Sequence, residues 1–171
     1  MDNNKMNMKK VIILTAILLS VVAVHAQKSV IDLFLEQNQD ITPQATFVNI
    51  TDEMLTMCYE YSSLTPPERY QSLSLCNAPA MLKRFENSTP FKKFAPLMEI
   101  KKEDGRIIRY FQHIQDKKGS IKREIVVCTQ YRNDFSVIYL KGNNLSTDSL
   151  NTHLELIRSF IDKNKNIKIH N

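Results

Sequence analysis

The chain has 171 residues, a formal net charge of +5 and only three glycines. This length suits one domain with a buried core, and the modest positive charge does not imply nucleic-acid binding. Nucleotide-binding loops need closely spaced glycines at the start of a helix. The three glycines here are far apart, so we expect neither such a loop nor a cofactor.

Residues 1–26 have the three-part layout of a secretory signal peptide. Lys9 and Lys10 precede an apolar run of fourteen residues, and the run leads to Ala26. A membrane-spanning helix needs about 20 apolar residues, so we predict cleavage after Ala26 and no stable membrane span; a retained anchor is the alternative. A single domain then occupies residues 27–171. Its net charge is 5 − 2 = +3, because the signal holds three lysines and one aspartate.

The three cysteines, Cys58, Cys76 and Cys128, all lie far from the predicted cut. The cut therefore lacks a lipid acceptor, and we expect a soluble exported protein that is periplasmic, outer-membrane-associated or extracellular. Export permits a disulfide, and Cys58 with Cys76 is the pair most easily imagined. The alternative is that the thiols stay free as small apolar side chains. Cys128 lies in an apolar run and is predicted to be in the core.

The first half of the domain alternates short helices and strands. Ser and Thr residues stand where they can cap helices, β-branched runs indicate strands, and two consecutive prolines break the chain. The predicted elements are a helix at 29–38 capped by Ser29, a strand at 44–50, a helix after Thr51, a strand at 72–78 and a helix at 78–87.

The second half predicts four strands and a final helix. Each of its three glycines lies at the edge of a strand-like run, where tight hairpin turns need positive φ. A stripe of leucine and isoleucine follows a Ser or Thr cap at the C-terminal end. We predict an α+β fold: an antiparallel sheet with a C-terminal four-stranded meander, helices packed on one face, and a C-terminal amphipathic helix. The strands are at 97–103, 106–115, 120–130 and 134–141, and the stripe is Leu150, Leu154, Ile157 and Ile161.

The spacing of residues 97–145 resembles a family of small exported proteins that is typical of gut Bacteroidetes and is catalogued only as a domain of unknown function. The likeness extends upstream to "ATFVNITDEML". Many members carry a lipid-attachment cysteine at the end of the signal, where this chain has "VHAQ". The resemblance implies an envelope or extracellular location and an α+β fold, and it carries over no catalytic residue. The matching residues are Leu97, Met98, Asp104, Gly105, Asp134, Phe135 and Gly142.

Few residues suggest catalysis. The histidines are scattered, so we expect no zinc site. His113, in the middle of a strand, is the best catalytic candidate, although a half-exposed strand histidine without a role is more common. Glu99 and Glu124 could act as general acid and base if their strands were neighbours. Exposed carboxylates that face lysine or arginine across strands are the usual alternative.

Basic residues are concentrated in the C-terminal half. Residues 101–171 hold 14 basic and 8 acidic side chains. They offer a candidate binding face for a partner protein or an anionic surface polymer, and an ordinary solvated surface is the alternative. The residues of this face are Arg106, Arg109, Lys122 and Arg123.

Two functions fit these observations. The first is a non-enzymatic binding module of the cell envelope or of the secreted fraction. The second is a small hydrolase or transferase whose site is dispersed in sequence. Polar groups converging in a pocket around His113 would favour the enzyme, whereas a filled sheet with an exposed apolar patch would favour binding.

Overall fold

The fold is built from six strands and four α-helices, in a computed structural model that describes residues 28–117, 120–143 and 145–164. Short 3-10 helices occupy Gln39–Gln44 and Thr89–Lys93. The predicted signal peptide lies outside the described residues. In chain order the elements are α1 (Val30–Gln37), β1 (Ala45–Ile50), α2 (Asp52–Cys58), β2 (Arg69–Leu75), α3 (Met81–Glu86), β3 (Ala95–Lys101), β4 (Ile107–Lys117), β5 (Ser120–Tyr131), β6 (Asp134–Gly142) and α4 (Leu150–Lys163).

All six strands form one antiparallel sheet in the order β1-β2-β6-β5-β4-β3. The C-terminal meander is β3 to β6, as predicted, and β2 joins it by pairing with β6. Gly105, in the turn before β4, has a φ of 83°. Residues with a Cβ adopt this backbone conformation only with strain. The α+β class, the antiparallel sheet and the C-terminal helix are therefore confirmed.

Both faces of the sheet are covered, which corrects the prediction that the helices pack on one face. Successive side chains of a strand point to opposite faces, and the four consecutive residues Ile125 to Cys128 of β5 are all buried. Val126 and Cys128 belong to one apolar cluster, whereas Ile125 and Val127 belong to another. An uninterrupted buried run of this kind is typical of a strand that is covered on both sides.

The cluster on each face has its own helices. The first core contains side chains of α1, α3 and the 3-10 helix at Thr89–Lys93, among them Phe34, Phe85 and Phe91. The second core contains Leu55 of α2 and Ile157 of α4. Of the helices in the described ranges, none is long and apolar enough to cross a membrane.

The start of α1 is fixed by a capping box. The Ser29 hydroxyl accepts a hydrogen bond from the backbone N–H of Asp32 at 3.0 Å, and the Asp32 carboxylate accepts one from the backbone N–H of Ser29 at 2.9 Å. These bonds satisfy two of the donors that a helix N-terminus leaves free. Asp32 also accepts a bond from Gln71 of β2 at 3.0 Å, so the cap joins α1 to the sheet.

Candidate functional site

An open groove of about 500 Å³ lies beside the edge strand β3. The register of β3 with β4 shifts between Pro96 and Met98, so an extra residue bends the strand there. This irregularity lies in the lining of the groove, which is largely apolar. The lining residues are Glu86, Pro96, Leu97, Met98, Glu99, Arg109, Tyr110 and Phe111.

A cluster of charges lies in the same groove. The Arg109 Nη1 atom donates to both carboxylate oxygens of Glu86 at 2.9 Å, and its Nε donates to Glu99. These hydrogen bonds raise the pKa of Arg109. Bonds from Arg109 and Lys101 lower the pKa of Glu99. The Arg109 guanidinium is therefore held between two carboxylates.

The structure does not bring the four predicted basic residues together. Arg109 faces Cys128 of the first core across the β4–β5 pair, so it lies on the first-core side of the sheet. Side chains alternate along β5, so Lys122 lies on the same side as Val126 and Cys128, and Arg123 lies on the other. Lys122 pairs with Glu68 at 3.0 Å, and Arg123 donates to the carbonyl oxygen of Leu145. These positions form no common binding face.

Arg106, the fourth of these residues, lies in the turn before β4. Its guanidinium is 3.4 Å from Asp104 and stands 5.3 Å from the ring centre of Tyr131. Both contacts are local to this end of the sheet. Arg106 therefore adds no positive charge to the groove.

Glu124 is a buried carboxylate with a complete set of partners. It is 1% exposed, and it accepts hydrogen bonds from Lys93 at 2.8 Å and Gln115 at 3.0 Å. Burial first, and the negative charge of Glu124 second, raise the pKa of the Tyr139 phenol. Since β4 lies between β3 and β5, the strands of Glu99 and Glu124 are not neighbours. The predicted acid–base pair is not formed.

His113 stands directly opposite Glu124 in the β4–β5 register. It is half-buried, and its ring packs edge-on against Phe94, with ring centres 5.9 Å apart. Polar groups do converge near His113, but they bond to one another, and none of these residues lines the groove beside β3. Lys93 and Gln115 form a hydrogen-bonded network around the buried Glu124.

The second core holds a buried tyrosine–histidine pair that was not predicted from the sequence. The hydroxyl of Tyr59, just after α2, is 2.6 Å from Nδ1 of His153 in α4. Burial lowers the pKa of His153 and raises that of Tyr59. The spacing of His153 indicates its burial: it is three residues after buried Leu150 and four before buried Ile157, so it lies on the apolar stripe of α4.

All three cysteines are free thiols, so the disulfide suggested between Cys58 and Cys76 is absent from the structure. Cys58 packs against the second core, whereas Cys76 is exposed beyond the end of β2. Cys128 is in the first core as predicted, and burial raises the pKa of its thiol. Among the residues that the structure describes, no three His, Cys, Asp or Glu side chains are grouped as a metal ion would need.

Comparison with protein-family models gives no match, and comparison with curated proteins gives none either. Among solved structures, the chain is similar to the crystal structure of PA94 from Pseudomonas aeruginosa, a protein of unknown function. The identity is 9% and the TM-score 0.32, over 74% of this chain and 83% of that one. Likeness at this level supports no argument about family or function.

Proposed function

We propose that this protein is an exported, non-enzymatic binding module that takes a partner protein into the groove beside β3. The observation that carries the proposal is the open groove of about 500 Å³, which combines apolar lining with the Glu86–Arg109–Glu99 cluster. Interaction sites commonly pair an exposed apolar surface with polar residues at its rim.

The charges of the groove favour one kind of partner. Glu86, Glu99 and Arg109 give the lining of the groove a net charge of −1, and Lys101, which pairs with Glu99 at 3.2 Å, lies outside that lining. This lining offers no net positive charge to an anionic polymer. The groove is better matched to a protein segment that presents an apolar side chain next to lysine or arginine.

The alternative of a hydrolase or transferase has less support. A general acid needs a raised pKa, whereas the pKa of Glu99 is lowered. A cysteine nucleophile needs an accessible thiolate, whereas Cys128 is buried with a raised pKa. Glu124 and His153 are themselves buried, and each is hydrogen-bonded to another side chain of the fold.

The exported location is supported by the signal-like segment that ends at Ala26 and by the resemblance over residues 97–145. Sequencing the N-terminus of the protein recovered outside the cytoplasm tests it directly. We expect the recovered chain to begin at Gln27. Recovery of the uncut chain from the membrane fraction would contradict cleavage.

Photo-cross-linking in living cells tests the groove. A photoreactive amino acid replaces Met98, which is 52% exposed in the groove, and in a matched control it replaces Ile121, which is 53% exposed on β5. We expect a discrete adduct from position 98 only. Adding Glu99→Lys should abolish it, because a basic partner would then meet a positive charge. Equal adducts at both positions, or an adduct that survives Glu99→Lys, would contradict the proposal.

A further inference from the structure

The two edges of the sheet differ in how they resist strand addition. β3 contains Pro96, an irregularity between Pro96 and Met98, and charged Glu99 and Lys101, which pair with each other at 3.2 Å. Proline, bulges and charges are the features with which natural proteins keep an edge strand from pairing with another chain. β3 therefore has three such features within seven residues.

The other edge, β1, has none of them. Its sequence, "ATFVNI", contains no proline, glycine or charged residue, and all six residues pair with β2 in regular register. The outer side of such a strand presents backbone N–H and C=O groups in the pattern that another strand needs. Within the described residues, no strand pairs with this outer side of β1.

Phe47, in the middle of β1, is 38% exposed, and it lies on the first-core side of the sheet because it faces Leu73 of β2. Large exposed apolar groups of this kind are typical of interaction surfaces.

We propose that β1 is the interface at which a second copy of this chain binds, antiparallel and across a two-fold axis. In each copy, odd-numbered and even-numbered residues of β1 point to opposite faces of the sheet. Across the two-fold axis, an odd-numbered residue must therefore face an odd-numbered one, and an even-numbered residue an even-numbered one. The register centred on Phe47 sets Phe47 opposite its own copy and Ala45 opposite Asn49. Every facing pair is uncharged, and the aromatic pair is a stabilising cross-strand contact.

A second copy suits this edge better than an unrelated peptide. The strand can pair with itself because no like charges meet, and two-fold pairing covers the exposed Phe47 of both copies at one contact. Two-fold dimers are also the commonest protein assemblies. The sheets of the two copies then form one continuous sheet.

Cysteine cross-linking tests the register. In a Cys76→Ser background, which removes the exposed native thiol, Phe47→Cys places two thiols on the axis. Facing residues of antiparallel strands have Cα atoms about 4.5–5.5 Å apart, within the range that a disulfide spans. We expect mild oxidation to give a covalent dimer. The matched control Met98→Cys, on the protected edge, should stay monomeric.

Charge exchange tests the interface without cysteines. Phe47→Glu and Phe47→Lys should each sediment as a monomer, because like charges then face each other, and mixing the two variants should restore a dimer. Any of four results would overturn the proposal: a wild-type monomer at all concentrations, a dimer that survives Phe47→Glu, equal cross-linking at 47 and 98, or a monomer that binds only a foreign extended peptide.

Discussion

Tyr59 and His153 form a polar contact inside an otherwise apolar cluster. Their side chains are almost fully buried, and the hydroxyl lies 2.6 Å from Nδ1. A neutral imidazole can accept a hydrogen bond from the phenol at this nitrogen, whereas a protonated one has no lone pair to offer. Because burial disfavours the charged imidazolium, the pKa of His153 is lowered in the fold.

We therefore expect the protein to lose stability in acid through His153. The unfolded histidine takes up a proton as the pH falls through about 6.5, its ordinary pKa, whereas the folded one takes it up only at lower pH. The free energy of unfolding should fall as pH drops from about 6.5 toward the folded pKa, by at most about 1.4 kcal/mol for each pH unit. Urea unfolding at several pH values measures this.

Two leucine variants separate this effect from the acid response of other groups. His153→Leu should be less stable at neutral pH by about 1–3 kcal/mol, because Tyr59 loses its partner. Its free energy of unfolding should, however, fall less steeply as the pH drops below 6.5. His113→Leu removes a half-buried histidine outside the pair, and its free energy of unfolding should fall with pH as steeply as that of the wild type. An unchanged slope in His153→Leu would refute the assignment.

At the scale of elements, the capping box makes the start of α1 sensitive to a single hydroxyl. Ser29→Ala removes a 3.0 Å hydrogen bond at a buried cap and should lower the free energy of unfolding by about 1–2 kcal/mol. Thr51→Ala, at the exposed cap of α2 with a bond of 3.4 Å, is the matched control and should cost less. Urea midpoints compare the two, and a larger loss for Thr51→Ala would contradict the expectation.

At the scale of the whole molecule, the two cores are joined by shared strands. In β5, Val126 packs in the first core and Val127 in the second. Neither core can come apart without exposing the other side of the same strand. We expect one cooperative unfolding transition for both layers.

Substitution in either core should therefore destabilise the whole. Phe85→Ala in the first core and Ile157→Ala in the second should each cost about 2–5 kcal/mol. Tyrosine fluorescence suits this test, because the chain has no tryptophan, and far-UV circular dichroism reports on all helices. The two signals should change at the same urea concentration in both variants. Two separated transitions would show that the layers unfold independently.

The local features of this fold could be predicted from the sequence more completely than its tertiary contacts. Glycine-edged runs were enough to predict the C-terminal meander, and the stripe from Leu150 to Ile161 predicted the final helix. The coverage of both faces was missed, although the buried run at Ile125 to Cys128 was its signal.

In the groove, Arg109 was identifiable as a basic strand residue, but its partners were not. Glu86 reaches it from α3, 23 residues earlier in the chain, and Glu99 meets it through the β3–β4 register. A contact of this kind depends on how α3 packs on the sheet, which no local pattern encodes. Tyr59 and His153 meet across 94 residues for the same reason.

The irregularity in β3 has a consequence for the size of any assembly. In the dimer proposed through β1, both outer edges are β3 strands, and each is protected by Pro96 and by charges. Growth into a fibre needs an open edge at the end of the sheet, so the assembly closes at two copies. The two grooves then stand at opposite ends of one rigid sheet, and a partner with two matching segments could bind both with a gain in avidity.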